Sequence, residues 1–224
     1  MGHKVHPKAF RLAVTHGWDA SWFAGKRAMF STFLREDVTM RAFLNKELRE
    51  ALVDRIEIER ARGKVIVAIH TAKPGVIIGR AGAGIDEIAK KLKRRFFRGR
   101  KVDLQIQVKE IQNPNLSARI VALQIAFDLE KRMPFRRTMK STIERVLKSG
   151  AQGIKITIGG RLNGAEIARV ETLASGKIPL HNLRADVNFA SLPARTIAGA
   201  IGVKVWINRG EVFETAKEPE KQAA

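Results

Sequence analysis

The chain has 224 residues, enough for one large or two modest domains, and 45% of them are hydrophobic, too many for a disordered polymer. No apolar run approaches the roughly 18 to 20 residues that a membrane span requires, and the absence of cysteine excludes disulfides, thiolate nucleophiles and cysteine-ligated zinc. The net charge is +20, spread as 24 Lys and Arg against 12 Asp and Glu up to residue 110 and 18 against 10 beyond it, so both halves attract polyanions, of which nucleic acid is the commonest.

Residues Met1 to Pro7 carry charge without an apolar stretch behind it, which predicts no cleaved signal peptide. Gly2 does not open a myristoylation motif, because position 6 is His6 instead of Ser or Thr. A soluble protein of the reducing cytoplasm is expected. Residues 1–38 mix basic and aromatic groups (Lys4, Lys8, Phe10, Arg11, Trp18, Trp22, Phe23) without a period and read as an irregular arm. From Thr39, a candidate cap, Met40, Phe43, Leu44, Leu48, Ala51 and Leu52 recur at helical spacing. Arg55 to Arg60 and Val65 to Ile69 alternate as two strands joined at Arg62-Gly63, with Val65, Val67 and Ile69 on one face.

Lys73-Pro74-Gly75 punctuates the chain. Val76-Ile77-Ile78 then leads into Gly79-Arg80-Ala81-Gly82-Ala83-Gly84, and a helix follows on which Ile85, Ile88 and Leu92 share a face while Asp86 and Glu87 suit the helix dipole. Val102, Leu104, Ile106 and Val108 alternate with polar residues as a further strand. Asn113-Pro114-Asn115 breaks the pattern, and the domain boundary is placed there, separating residues 39–112 from 113–212 and a polar tail at 213–224. The second part opens with a helix through Leu116, Ile120, Leu123 and Phe127 that ends before Pro134, then a helix from Phe135 to about Lys148. Strands are expected at Ile154 to Ile158, Ile167 to Leu173, Ala185 to Phe189 and Val203 to Ile207.

Glycines at 79 and 82, opening a helix, let backbone N–H groups approach phosphates that a Cβ would hold away. Alone, that spacing is weak and also fits a tight turn between helices. A dinucleotide fingerprint fails because Glu87 stands three residues past Gly84, and a Walker loop fails because Ile85 and Asp86 follow Gly84. From Lys90 to Lys101 there are eight cations (Lys90, Lys91, Lys93, Arg94, Arg95, Arg98, Arg100, Lys101) and no anion, a run that favours a polyanion over a merely solvated face. Arg136, Arg137 and Lys140 fall at about 0°, 100° and 40° around a helix, opposite Phe135, Met139 and Ile143. Cations in a helix's first turn oppose its dipole at up to about 1 kcal/mol each, so an external anion is expected there.

Val76-Ile77-Ile78-Gly79-Arg80-Ala81-Gly82, in the order helix, strand, strand, helix, helix, strand, resembles a type II KH domain. Such a loop clamps about four single-stranded nucleotides, with bases against an adjacent apolar groove. Lys4-Val5-His6-Pro7 with Arg11-Leu12, Pro134 to Lys140, Gly153 to Ile156, Gly164 to Arg169, Leu183 to Asp186 and Gly202 to Ile207 resemble the successive signatures of the bacterial S-three family of small-subunit ribosomal proteins. Two departures stand out: the family's Thr-Thr-Tyr-Gly stretch reads Arg195-Thr196-Ile197-Ala198-Gly199 here, without an aromatic ring, and the C-terminal tail is short and of mixed charge.

The resemblance implies an α+β protein, a type II KH domain followed by two helices and a mainly antiparallel sheet. It also implies a structural role on the ribosome, binding rRNA of the small-subunit head. Gly79, Arg80, Ala81 and Gly82 would grip RNA, the Lys90 to Lys101 cations would bind rRNA, and Arg136, Arg137 and Lys140 would line the mRNA entrance and help unwind messages. Implied partners are rRNA, mRNA, the tenth and fourteenth small-subunit proteins on the head, and the fourth and fifth at the entrance. No catalytic residue, metal, cofactor, small-molecule substrate or membrane partner is expected. His3 and His6 lack a third ligand nearby, and His70 and His181 stand alone. A free KH regulator would want repeated KH units or a fused catalytic domain, a nuclease would want clustered acidic ligands, and a lipid-surface protein would want a basic amphipathic helix with aromatics on its apolar face. Neither repeated units nor a fused domain is visible in the sequence, the Asp and Glu are scattered, and the charge balance favours nucleic acid over lipid.

Overall fold

The computed structural model describes residues 4–61, 63–98, 100 and 102–213. His3, Lys101 and the tail from residue 214, together with the side chain of Ala81, lie outside the described residues. The chain divides into two compact units, one of residues 18–123 and the other of the segment up to Gly17 with residues from Gln124 onward.

The first element, α1 (Pro7–Phe10), is a single turn belonging to the second unit. His6 starts it by accepting the Ala9 N–H at Nδ1, 3.3 Å away, with Pro7 at the first helical position. Within the first unit, β1 (Ala20–Ser21) precedes the long helix α2 (Arg27–Glu47), followed by β2 (Val53–Ala61), β3 (Lys64–Thr71), α3 (Pro74–Ile78), α4 (Ala83–Phe96) and β4 (Asp103–Glu110). The sheet order is β1-β2-β3-β4, antiparallel between β2 and β3 and parallel elsewhere. Ile56 and Ile58 of β2, Val65, Val67 and Ile69 of β3, and Leu104 of β4 turn to a core completed by Met40, Leu44, Ile77, Ile88 and Leu92.

The long helix starts at Arg27, twelve residues before Thr39. Thr39 is therefore no cap; its hydroxyl donates back to the Arg35 and Glu36 carbonyls. The buried stripe of α2 runs Asp37, Met40, Leu44, continued by the half-buried Phe33, and the carboxylate breaks the apolar period. Asp37 is 1% exposed and accepts from Arg60, 2.5 Å away, and from the Trp22 indole, 2.8 Å away. A partner 23 residues distant makes that burial tolerable.

The second unit receives α5 (Ala118–Glu130), inside which the division falls, then α6 (Phe135–Lys148), β5 (Gly153–Gly160), β6 (Arg169–Gly176), β7 (Ala185–Thr196) and β8 (Gly199–Glu211). All neighbours in the β6-β5-β8-β7 sheet are antiparallel. Ile154, Ile156 and Ile158 of β5 and Val203, Val205 and Ile207 of β8 are buried. Strand β6 begins two residues later than the apolar pattern suggests, because Ile167 is exposed behind a short turn at Leu162–Gly164. Conversely, β7 runs on to Thr196 through Pro193, which an edge strand accepts. Ile197 and Ala198 form the two-residue tip of the β7–β8 hairpin, so the position without a family aromatic carries an isoleucine 86% exposed.

Candidate nucleic-acid interface

The glycine loop joins α3 to α4 as a single short 3-10 turn, Arg80–Gly82. Gly79, at φ 68° and ψ −172°, lies in a region open essentially to glycine alone, and Gly82 is left-handed at φ 84°. Val76 and Ile78 are exposed beside the loop, at 54% and 38%, supplying apolar surface next to it. Gly84, which the spacing argument leaves without a role, proves to be the packing glycine. A Cβ on it would stand 2.5 Å from the Ile77 carbonyl oxygen and 3.1 Å from that of Ile78. Gly84→Ala should therefore separate α3 from α4 and destabilise the unit by about 1 to 3 kcal/mol. Gly82→Ala, with nothing within 4 Å of its added Cβ, should cost roughly 1 to 2 kcal/mol through its φ alone. Denaturant midpoints of the two variants check this order.

The described cations of the basic run are all exposed, but they are less isolated than their sequence suggests. Glu47 of α2 pairs with Lys91, whose proton affinity rises through that hydrogen bond and charge, and Glu36 pairs with Arg100. Arg95 lies over Phe43 at 4.9 Å. These pairings correct the picture of eight uncompensated charges, since α2 supplies anions from 44 and 64 residues away. Lys90, Lys93 and Arg94 share one side of α4, one turn beyond Asp86 and Glu87, a spacing that favours the helix as well.

In the second unit, α6 buries Phe135, Thr138, Met139, Thr142, Ile143 and Val146 and leaves Arg136, Arg137, Lys140, Ser141 and Glu144 exposed. The expected apolar stripe is thus the buried one, widened by two threonines; Thr138 satisfies its hydroxyl on the Pro134 carbonyl at 3.3 Å. The exposed five line a shallow concavity of about 440 Å³. Arg136, whose side chain is 71% exposed, donates to Glu171 of β6 at 3.2 Å and lies over the Phe135 ring at 5.7 Å. No acidic residue occupies the first turn of α6. Among the described residues no group of three or more His, Asp and Glu could hold a metal ion. No helix among them is long and apolar enough to cross a membrane.

A family model described as "KH domain" matches residues 39–116, and one described as "Ribosomal protein S3, C-terminal domain" matches residues 125–207. Proteins named "Small ribosomal subunit protein uS3" are similar along the whole chain. The one from Pelotomaculum thermopropionicum is 48% identical over 224 residues, covering 100% of this chain and 95% of its own. That from Desulforamulus reducens is 47% identical over 98% of this chain and 97% of its own. The chain belongs to the uS3 family of small ribosomal subunit proteins. The uS3 relative from Streptococcus pyogenes serotype M5 is 48% identical over 97% of each chain. Membership makes the chain an RNA-binding ribosomal protein, not an enzyme, and the α+β order of a KH unit followed by an antiparallel sheet is that of the two matched families.

Proposed function

We propose that the chain holds rRNA in the head of the small ribosomal subunit and that Arg136, Arg137 and Lys140 line the entrance through which mRNA reaches the decoding site, where they help separate paired message. The observation that supports this most directly is the cationic face of α6. Its three cations are exposed, two of them stand in the first turn against the helix dipole, and the opposite face is locked into the core by Phe135, Met139 and Ile143. A rigid helix presenting cations at fixed spacing grips phosphates without reading sequence, which suits a channel through which every message passes.

Glu171 draws on Arg136, so that this residue exchanges one carboxylate for phosphate, while Arg137 and Lys140 are free to engage RNA directly. In this reading the loop of Gly79, Arg80, Ala81 and Gly82 and the cations from Lys90 to Lys101 serve rRNA phosphates. The tenth and fourteenth small-subunit proteins adjoin the chain on the head, the fourth and fifth complete the entrance, and the chain works in the cytoplasm. Domain limits of 1–38, 39–112, 113–212 and 213–224 remain the proposed division of labour between arm, KH domain, ribosomal domain and tail.

Changing Arg136, Arg137 and Lys140 together to Ala should slow elongation through a stable mRNA hairpin severalfold while leaving subunit assembly and the reading of unstructured messages unchanged. A translation time course on paired reporters, with and without the hairpin, measures it. Equal slowing on both messages contradicts the role.

A further inference from the structure

Residues 20–35 contain no acidic residue, three cations and four aromatic rings, yet no surface described above uses them. Their structure is orderly. The Trp22 ring lies 5.4 Å from Phe30 and edge-on to Phe33 at 5.7 Å, and the Arg60 guanidinium covers the far side of that group, 4.8 Å from the Phe33 ring. The indole N–H is held by Asp37. Within this braced stack Phe30 is still nearly half exposed, as are Met29 and Leu34 beside it, and Phe23 is 91% exposed. Isolated apolar groups on a surface are ordinary, but exposed rings and aliphatic side chains gathered along one short segment mark a binding surface.

The charges around it settle what it fits. Lys26, Arg27 and Arg35 are exposed and have no ion pair among the described residues. The anions that follow the segment, Glu36 and Asp37, are turned inward and occupied by Arg60 and Arg100, and the preceding one, Asp19, lies outside it. On α2, Leu34 and Val38 stand about 40° and 80° from Phe30, and Arg27 falls between them at about 60°. A cation inside the apolar stripe suits neither a bilayer, which wants its cations opposite the apolar face, nor a partner helix, which wants an uninterrupted stripe. Alternating rings and cations match a single nucleic-acid strand, in which each base brings a flat apolar face and each linkage an anion.

We propose that the segment from Trp22 to Arg35 is a stacking platform for unpaired RNA bases. Phe23 and Phe30 take base faces, Trp22, itself packed against Phe33, holds Phe30 in place, and Lys26, Arg27 and Arg35 take the phosphates. The platform shares no residue with α6 or with the glycine loop, so its failure and that of the entrance role are distinguishable.

The test uses the full-length chain and a twelve-nucleotide single-stranded RNA containing 4-thiouridine, beside a duplex of equal length and vesicles rich in phosphatidylserine. Phe23→Ala together with Phe30→Ala should weaken single-strand binding about tenfold or more and leave duplex binding unchanged. Phe23→Ala alone, at a residue with no packing to lose, should weaken it about threefold or more. Crosslinks should map to residues 22–35 and persist when Arg136, Arg137 and Lys140 are Ala. Unchanged single-strand affinity in both variants, crosslinks confined to other segments, or a loss seen only with vesicles would each overturn the proposal.

Discussion

Replacing Arg11 with Met should lower the stability of the second unit by about 3 to 5 kcal/mol, among the largest effects expected anywhere in the chain. Arg11 is 0% exposed. Its Nη1 donates to the Pro7 carbonyl at 3.1 Å, and its Nη2 meets the carbonyls of Pro179, Leu180 and Asn182 at 3.1, 3.2 and 2.8 Å. The guanidinium therefore ties the first residues of the chain to the segment between β6 and β7, about 170 positions away. Burial disfavours its charge and Asp186 partly offsets that, but the planar fork stays protonated, with the two Nη2 hydrogens shared among three carbonyls. Methionine fills comparable volume and donates nothing, leaving the buried Pro7 carbonyl without its partner at roughly 1 to 3 kcal/mol and the part-buried carbonyls of Pro179, Leu180 and Asn182 at less each. Arg11→Lys keeps the charge but cannot span the four oxygens, and it should fall between the two. Amide-exchange protection in β7 and β8 measures the loss within the unit, which a thermal midpoint of the whole chain would blur. Unchanged protection in Arg11→Met would show that the clamp contributes nothing.

Asp37→Ala should destabilise the first unit by about 3 kcal/mol. Removal of the carboxylate strands the Arg60 guanidinium, whose side chain is 7% exposed, and leaves the Trp22 N–H without its acceptor. Glu36 still reaches Arg60 at 3.0 Å, which keeps the expected loss at the low end of the range for a broken buried pair. Asp37→Asn retains one acceptor and should lose less. A double replacement, Asp37→Leu with Arg60→Met, should recover much of the stability, because apolar groups of similar size replace the buried pair and leave only the Trp22 N–H and Glu36 short of a partner. Chemical denaturation of the three variants, followed through α2 and β2 amides, gives the order Ala below Asn below the double variant; a double variant as weak as Asp37→Ala contradicts the explanation. The same substitution loosens Trp22 from behind Phe30, so Asp37→Ala should also weaken single-strand binding at the platform.

These two residues show what a sequence yields and what it withholds. Strands β2, β3 and β4 are legible because Ile56 and Ile58, Val65, Val67 and Ile69, and Leu104 alternate with polar neighbours, a local pattern that burial on one face imposes. Helix α6 is legible for the same reason at helical period, and its cations follow once the buried stripe is known. Contacts distant in sequence leave no such trace. Asp37 reads as a break in an apolar helix until Arg60 stands beside it, which hides the first twelve residues of α2. Arg11 reads as one more cation of a basic arm, although the structure buries it completely. Likewise Glu36 and Glu47 come to the basic run from another helix, and the need for Gly84 arises from a carbonyl across a helix crossing. Pro193 hides the second half of β7, because nothing local reveals that the strand lies at the sheet edge.

The assignment of the entrance to α6 is tested most directly by crosslinking on the intact ribosome. A message carrying a photoactivatable base just downstream of the decoding site, positioned before it enters the subunit, reports which side chains it passes. Crosslinks on the peptide holding Arg136, Arg137 and Lys140, lost when those three are Ala, are the predicted result. Crosslinks on this chain that fall only at Gly79 to Gly82, or on neighbouring proteins with none on α6, would contradict it.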